Sequence, residues 1–375
     1  GISQWLVVGD TTVGKGQFYW YSDQLELNGD ERYPSSPSAR WKIYLLSDTN
    51  VWDMTDWHFG LRNSPFKFYV NDESTVGDIY CTAPGNDANL GTYPAAPKLT
   101  LQGLLGAEEI DLEPTDQVLV DTGRYYMEDT NNPIRWDMLH SGVVGEPVYL
   151  YGSTNPAGSV FVASNRFSTG GFFFMEADFV EMHDVRFEGE AMQFIGNGLV
   201  VSNLSLTNGN MTILGNNSTF RKLYLDRGAL TFSGRDNLVD GYRQRWGESS
   251  LVGTNIVLQH AAIYTTGNMR TGLFVQAVGA VVSNSSVLAT RGTALGKRGS
   301  GLLRMGHNIL VAGGQSDENK VIAWEDGALI SDWNNLLARD SAWVGTRKGK
   351  WEKLAYWQLA TGQDANSVSI EPIFQ

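Results

Sequence analysis

From Phe172 the chain repeats itself every 19 residues without a gap, in the segments 172–190, 191–209, 210–228 and 229–247. Three of these close on glycine (Gly209, Gly228, Gly247), and the first carries Gly189 one place earlier. A 20-residue segment, 248–267, closes on Gly267, and looser copies continue to about 335. A fixed period of this length is the mark of a solenoid and overrides any element-by-element reading.

Within the repeat, the second position reads Phe173, Met192, Met211, Leu230, and the fourth reads Met175, Phe194, Ile213, Phe232. The eleventh reads Met182, Val201, Phe220, Val239; the fourteenth Val185, Leu204, Leu223, Tyr242; the sixteenth Phe187, Leu206, Leu225, Gln244. A spacing of two inside each short run is the strand signature, with alternate side chains facing in and out. Short strands of constant period, separated by Gly, Asn and Asp turns, stack coil on coil so that like residues form an internal ladder. The Leu-x-x-Leu-x-Leu pattern of leucine-rich repeats is absent, and helical solenoids need a 3.6-residue period. The expected fold class is therefore all-β: a right-handed parallel β-helix solenoid with an N-terminal capping helix and a small N-terminal β extension.

The solenoid is assigned to 65–340. Residues 1–64 lack the repeat; Trp5–Val8, Phe18–Tyr21 and Trp41–Leu46 read as short strands of a β-rich module. A short helix is expected over Leu99–Leu105, after Pro97, where it would cover an open solenoid end. Residues 341–375, with Trp343, Trp351, Tyr356 and Trp357, read as a C-terminal cap carrying another helix.

Several motifs carry a resemblance. Tyr69-Val70-Asn71-Asp72 precedes the Gly85-Asn86-Asp87 loop; the helix, Val120-Asp121-Thr122-Gly123-Arg124-Tyr125 and Gly145-Glu146-Pro147-Val148 follow. This run resembles β-helix units of large secreted bacterial surface proteins in the pectate-lyase-like superfamily. Thr361-Gly362-Gln363-Asp364 and Glu371-Pro372-Ile373-Phe374 resemble the closing element of such proteins. The resemblance implies a module of a larger secreted or cell-surface chain. It leaves activity open, because that superfamily mixes lyases, hydrolases, epimerases, adhesins and spacers. One departure stands out: Thr115-Asp116 replaces the unit's usual Gly-Asp.

A formal charge of −13 argues against nucleic acid and anionic lipid as partners. It also disfavours a polyanionic ligand unless basic residues reverse the field locally. No stretch approaches the roughly 20 apolar residues of a membrane span. The chain starts at Gly1 rather than Met, which fits a mature or excised fragment. The single Cys81 leaves no intramolecular disulfide and reads as a buried thiol. His58, His140, His183, His260 and His307 are scattered without zinc-like spacing.

If columns fourteen and sixteen face inward, columns thirteen, fifteen and seventeen face solvent. They read Asp184, Asn203, Lys222, Gly241; then Arg186, Ser205, Tyr224, Arg243; then Glu188, Thr207, Asp226, Arg245. Arg227, Arg235 and Trp246 lie in adjacent turns, and His260 and Tyr264 follow on the next coil. With coils about 4.8 Å apart, acids, bases and an aromatic ring share one surface. Ordinary cross-strand charge pairing would explain that pattern. A polysaccharide groove would also explain it, with Arg186 and Arg245 binding hydroxyls or uronates and Tyr224 or Trp246 stacking on a pyranose.

An enzyme needs more. A lyase would use Lys222 or Arg243 as base with Arg186 or Arg245 neutralising the substrate carboxyl. A hydrolase would need facing carboxylates, for which Glu188 with Asp226, roughly 10 Å apart over two coils, or Asp184 with Glu188, are the candidates. Asp72, Asp87 and Asn89 offer oxygen ligands for calcium, although Asx turns explain the same composition. The leading expectation is a carbohydrate-binding or spacer module outside the cell; the alternative is a polysaccharide lyase or glycoside hydrolase working in the groove.

Overall fold

The computed structural model describes residues 36–56, 59–61, 66–107, 110, 112–127, 131–163, 171–266, 270–314, 316 and 318–372. The strands read at Trp5–Val8 and Phe18–Tyr21 lie outside the described residues. The chain divides into two compact units, 1–66 and 67–375. In the first, Lys42–Leu45 pairs antiparallel with Asp48–Met54, and Ser36–Ala39 pairs with Phe59–Leu61. The strand read from Trp41 to Leu46 is thus present.

The second unit is a parallel β-helix. Phe173–Met175, Met192–Phe194, Met211–Ile213, Leu230–Phe232 and Ser249–Leu251 stack in parallel, each residue over its counterpart 19 positions on. They belong to an 11-stranded sheet. The rest of each coil feeds a 19-stranded sheet through two further strands, as in Val180–His183 followed by Val185–Glu188. Columns two, four, eleven and fourteen are buried along the repeat. Phe173, Phe187, Phe194, Phe220 and Phe232 pack ring against ring across successive coils. Column sixteen stays inside even where it turns polar. Gln244 is buried, and its amide donates to the carbonyls of Gly228 and Glu248 while its oxygen accepts from Ser249. Those bonds offset the cost of desolvating it.

Each coil turns through single residues in the left-handed region. One ladder of bends is Gly198, Asn217, Asp236, Asn255; a second is Asp184, Asn203, Lys222, Gly241, His260; a third is Asn208, Arg227, Trp246. Column thirteen is therefore a bend between two strands and not part of a flat outer face, which corrects the sequence reading. Its side chains still leave the surface beside columns fifteen and seventeen.

The ends are covered as the exposed core requires. The N-terminal helix, α1, spans Leu101–Leu105, starting two residues later than expected. Its N-cap Thr100 accepts from the Gly103 amide, and Leu101, Leu104 and Leu105 are buried. At the other end, helix α2 (Leu354–Thr361) buries Trp357, whose indole donates to Asp364. Val368 then bonds the edge of the last coil through the Leu336 amide and the Asn334 carbonyl.

Candidate functional site

Tight register brings column fifteen onto one line. Arg186 pairs with Ser205, Ser205 with Tyr224, Tyr224 with Arg243, and Arg243 with Ala262. Column seventeen runs beside it as Glu188, Thr207, Asp226, Arg245 and Tyr264. The chain between Gly152 and Ser159 is an insertion at the column-thirteen bend, because Tyr151 pairs with His183 and Ser159 with Val185. Its loop is anchored from below: Ser153 meets Thr122, and Asn155 donates to the Gly77 carbonyl. Ser153–Pro156 then wall one side of an open depression of about 240 Å³. Asp184, Asn203 and Lys222 line its bend, and Arg186, Ser205 and Tyr224 line its floor. Among the described residues the depression has this one wall.

The charges on this surface divide into engaged and available groups. Arg124, from a strand 64 residues earlier, grips both oxygens of Glu188. Arg245 grips both oxygens of Asp226 at 3.0 Å and holds that carboxyl below the usual carboxylate range. His260 donates from Nδ1 to Asp240 at 2.7 Å, and that hydrogen bond likewise holds the Asp240 carboxyl low. Asp184 accepts from the Asn203 amide, and Arg186 donates to the Ala157 carbonyl of the wall. Among the described residues Lys222 and Arg243 enter no ion pair, and both are exposed on either side of Tyr224, itself 38% exposed. Two guanidinium groups lie over the Trp246 ring, Arg245 at 4.3 Å and Arg227 at 5.1 Å from its centroid. Tyr264 is half-buried at the end of column seventeen.

Residues 210–247 carry six basic and three acidic side chains, a formal charge of +3 inside a chain of −13. The local field therefore has the opposite sign to the global one. Lys222, Arg227 and Trp246 adopt φ of 52°, 57° and 62° on this surface, where the coil before Lys222 and Arg227 uses Asn203 and Asn208 at the same bends. Left-handed backbone costs a side-chain-bearing residue about 1–2 kcal/mol, and unrelieved strain of this kind clusters at functional sites.

A second hollow, of about 400 Å³, follows Asn197, Asn216, Asn217, Arg235 and Asp236 on another bend. There the amides of Asn197 and Asn216 are spent on the ladder running from Asp178 to Arg235. The candidate calcium ligands are likewise engaged locally. Asp87 accepts from the Leu99 and Thr100 amides and the Thr100 hydroxyl, Asp72 from the Ser74 and Arg124 amides, and the Asn89 amide donates to Pro97. Among the described residues no three acidic, His or Cys side chains converge on one point.

Sequence reasoning missed Arg124 and the 153–158 wall, since both reach the platform from outside the regular repeat. It also missed a row of parallel rings, Tyr149, Tyr151 and His183, spaced 5.7 and 5.2 Å, across the bend from the depression.

No family model and no curated protein matches the chain. Among solved structures it is similar to pectate lyase Pel9A, at 14% identity over 83% of this chain and 79% of that one, with a TM-score of 0.49. It is similar to the GH136 lacto-N-biosidase of Eubacterium ramulus at 11% identity, over 82% and 67%, with a TM-score of 0.46. It is also similar to the A-module of the Azotobacter vinelandii mannuronan C-5 epimerase AlgE6 at 11% identity, over 68% and 91%, with a TM-score of 0.37. The likeness is one of fold alone.

Proposed function

We propose that the β-helix unit is an extracellular module that binds an acidic polysaccharide across the Arg186–Tyr224–Arg243 column and does not cleave it. The observation that carries this reading is the pair of uncommitted cations, Lys222 and Arg243, flanking an exposed tyrosine in a locally positive field. A pyranose face stacks on the ring while the cations meet carboxylates that the rest of the surface would repel.

Cleavage by the two candidate carboxylates is disfavoured by their partners. A glycoside hydrolase needs one carboxyl kept protonated as general acid. Glu188 and Asp226 are each clamped by a guanidinium, and Asp226 is driven toward its ionised form.

The test is retention of purified protein on pectate, alginate and a neutral glucan, with absorbance and reducing-end assays on the same samples. Acidic polymers retain the protein and neutral glucan does not, and no unsaturated or reducing ends accumulate. Tyr224→Ala weakens retention roughly fivefold, equivalent to about 1 kcal/mol of stacking, with melting unchanged. Unsaturated products abolished by Lys222→Ala would replace the binding reading with lyase chemistry.

A further inference from the structure

Trp333 stands on the same ladder of bends as Lys222, five coils further along. The register connects them through Asp240, Gln259, Ser283, Gly306 and Asp332, each next to its own bend residue. At about 4.8 Å per coil the separation is roughly 24 Å. Trp333 has φ of 58°, whereas Asn203, Gly241 and Asn284 fill the same bend at less cost. A bulky residue with positive φ is a genuine outlier that needs a reason.

The strained indole is not tucked away for packing. Trp333 is 59% exposed, and its ring runs parallel to that of His307 on the preceding coil, with centroids 6.4 Å apart and planes within 6°. Its amide is fixed on Asp332, whose carboxylate also holds the amide and side chain of Asn366 at 2.7 Å. The result is an aromatic shelf facing solvent on a braced backbone.

We infer that the Trp333–His307 shelf is a second sugar-stacking site, which holds the same polysaccharide chain further along the helix axis. This rests on the acidic-polysaccharide reading of the platform. A ligand bound at both points is long and runs along the helix axis, crossing successive coils. Joining two weak contacts by one chain raises affinity without any new kind of contact, provided that the ligand spans the gap.

The test is calorimetric affinity for oligogalacturonides of graded length, measured on the wild type, Trp333→Asn and Tyr224→Ala. Asn suits left-handed backbone, so the Trp333 variant keeps the fold. Wild-type affinity steps up roughly tenfold or more once the oligomer can span the gap. Trp333→Asn binds short oligomers as the wild type does but loses the step, and Tyr224→Ala loses short-oligomer binding. A step that survives Trp333→Asn overturns the second site and leaves the platform standing. Short-oligomer binding unaffected by Tyr224→Ala, or no binding by the wild type, overturns the platform and the second site together.

Discussion

Thr115 holds φ of 75° in the turn just before the buried Asp116, a conformation that is hard on a β-branched side chain. Replacing it with glycine removes that strain, partly offset by the greater freedom glycine gains in the unfolded chain. Thr115→Gly is expected to stabilise the unit by about 1 kcal/mol, read as a higher urea midpoint; a lower midpoint would refute the strain. This position was visible in the sequence as a departure from the resembled unit, because glycine is the usual occupant of such a turn. The bends at Lys222, Arg227 and Trp246 were harder to see, since Asp, Asn, Lys, Gly and His all occupy one ladder. A signal did exist. Inward columns eleven and fourteen are three apart, an interval that strict alternation forbids, so a bend had to lie between them.

At the scale of strands and turns, the 19-residue period fixed the register so firmly that the inward columns of 172–247 were legible in advance. Glycine columns show why the period is so strict. A Cβ on Gly215 would lie 1.8 Å from the Gly196 carbonyl oxygen, and one on Gly228 would lie 1.7 Å from that of Gly209. Successive coils touch backbone to backbone there. Gly215→Ala is expected to destabilise the unit by about 3 kcal/mol, at the upper end of overpacking effects, seen as a lower urea midpoint. A midpoint within error of wild type would mean that the coils separate freely. The caps were legible by the physical need to cover a solenoid end, and α1 and α2 meet it with buried Leu101, Leu104 and Trp357. The 153–158 wall was not legible, since an insertion at a bend leaves the repeat on either side intact. Arg124 was hidden for a related reason: its bond to Glu188 joins residues 64 positions apart.

Over the whole molecule, an acidic chain presents a positive stretch at 210–247, and the fold places that stretch beside the depression walled by Ser153–Pro156. Composition alone pointed away from a polyanionic ligand; only the arrangement of Lys222, Arg227, Arg243 and Arg245 on adjoining columns reverses that inference. Electrostatic binding of this kind weakens as salt screens the charges. The most direct test is the affinity of uncleaved pectate for the wild type and for a Lys222→Ala/Arg243→Ala double variant at low ionic strength. Neither side chain is in the core, so the variant melts as the wild type does. Its affinity is expected to fall at least tenfold, or about 1.4 kcal/mol, and to lose most of its salt dependence. Equal affinity and equal salt dependence in the two proteins would contradict the account.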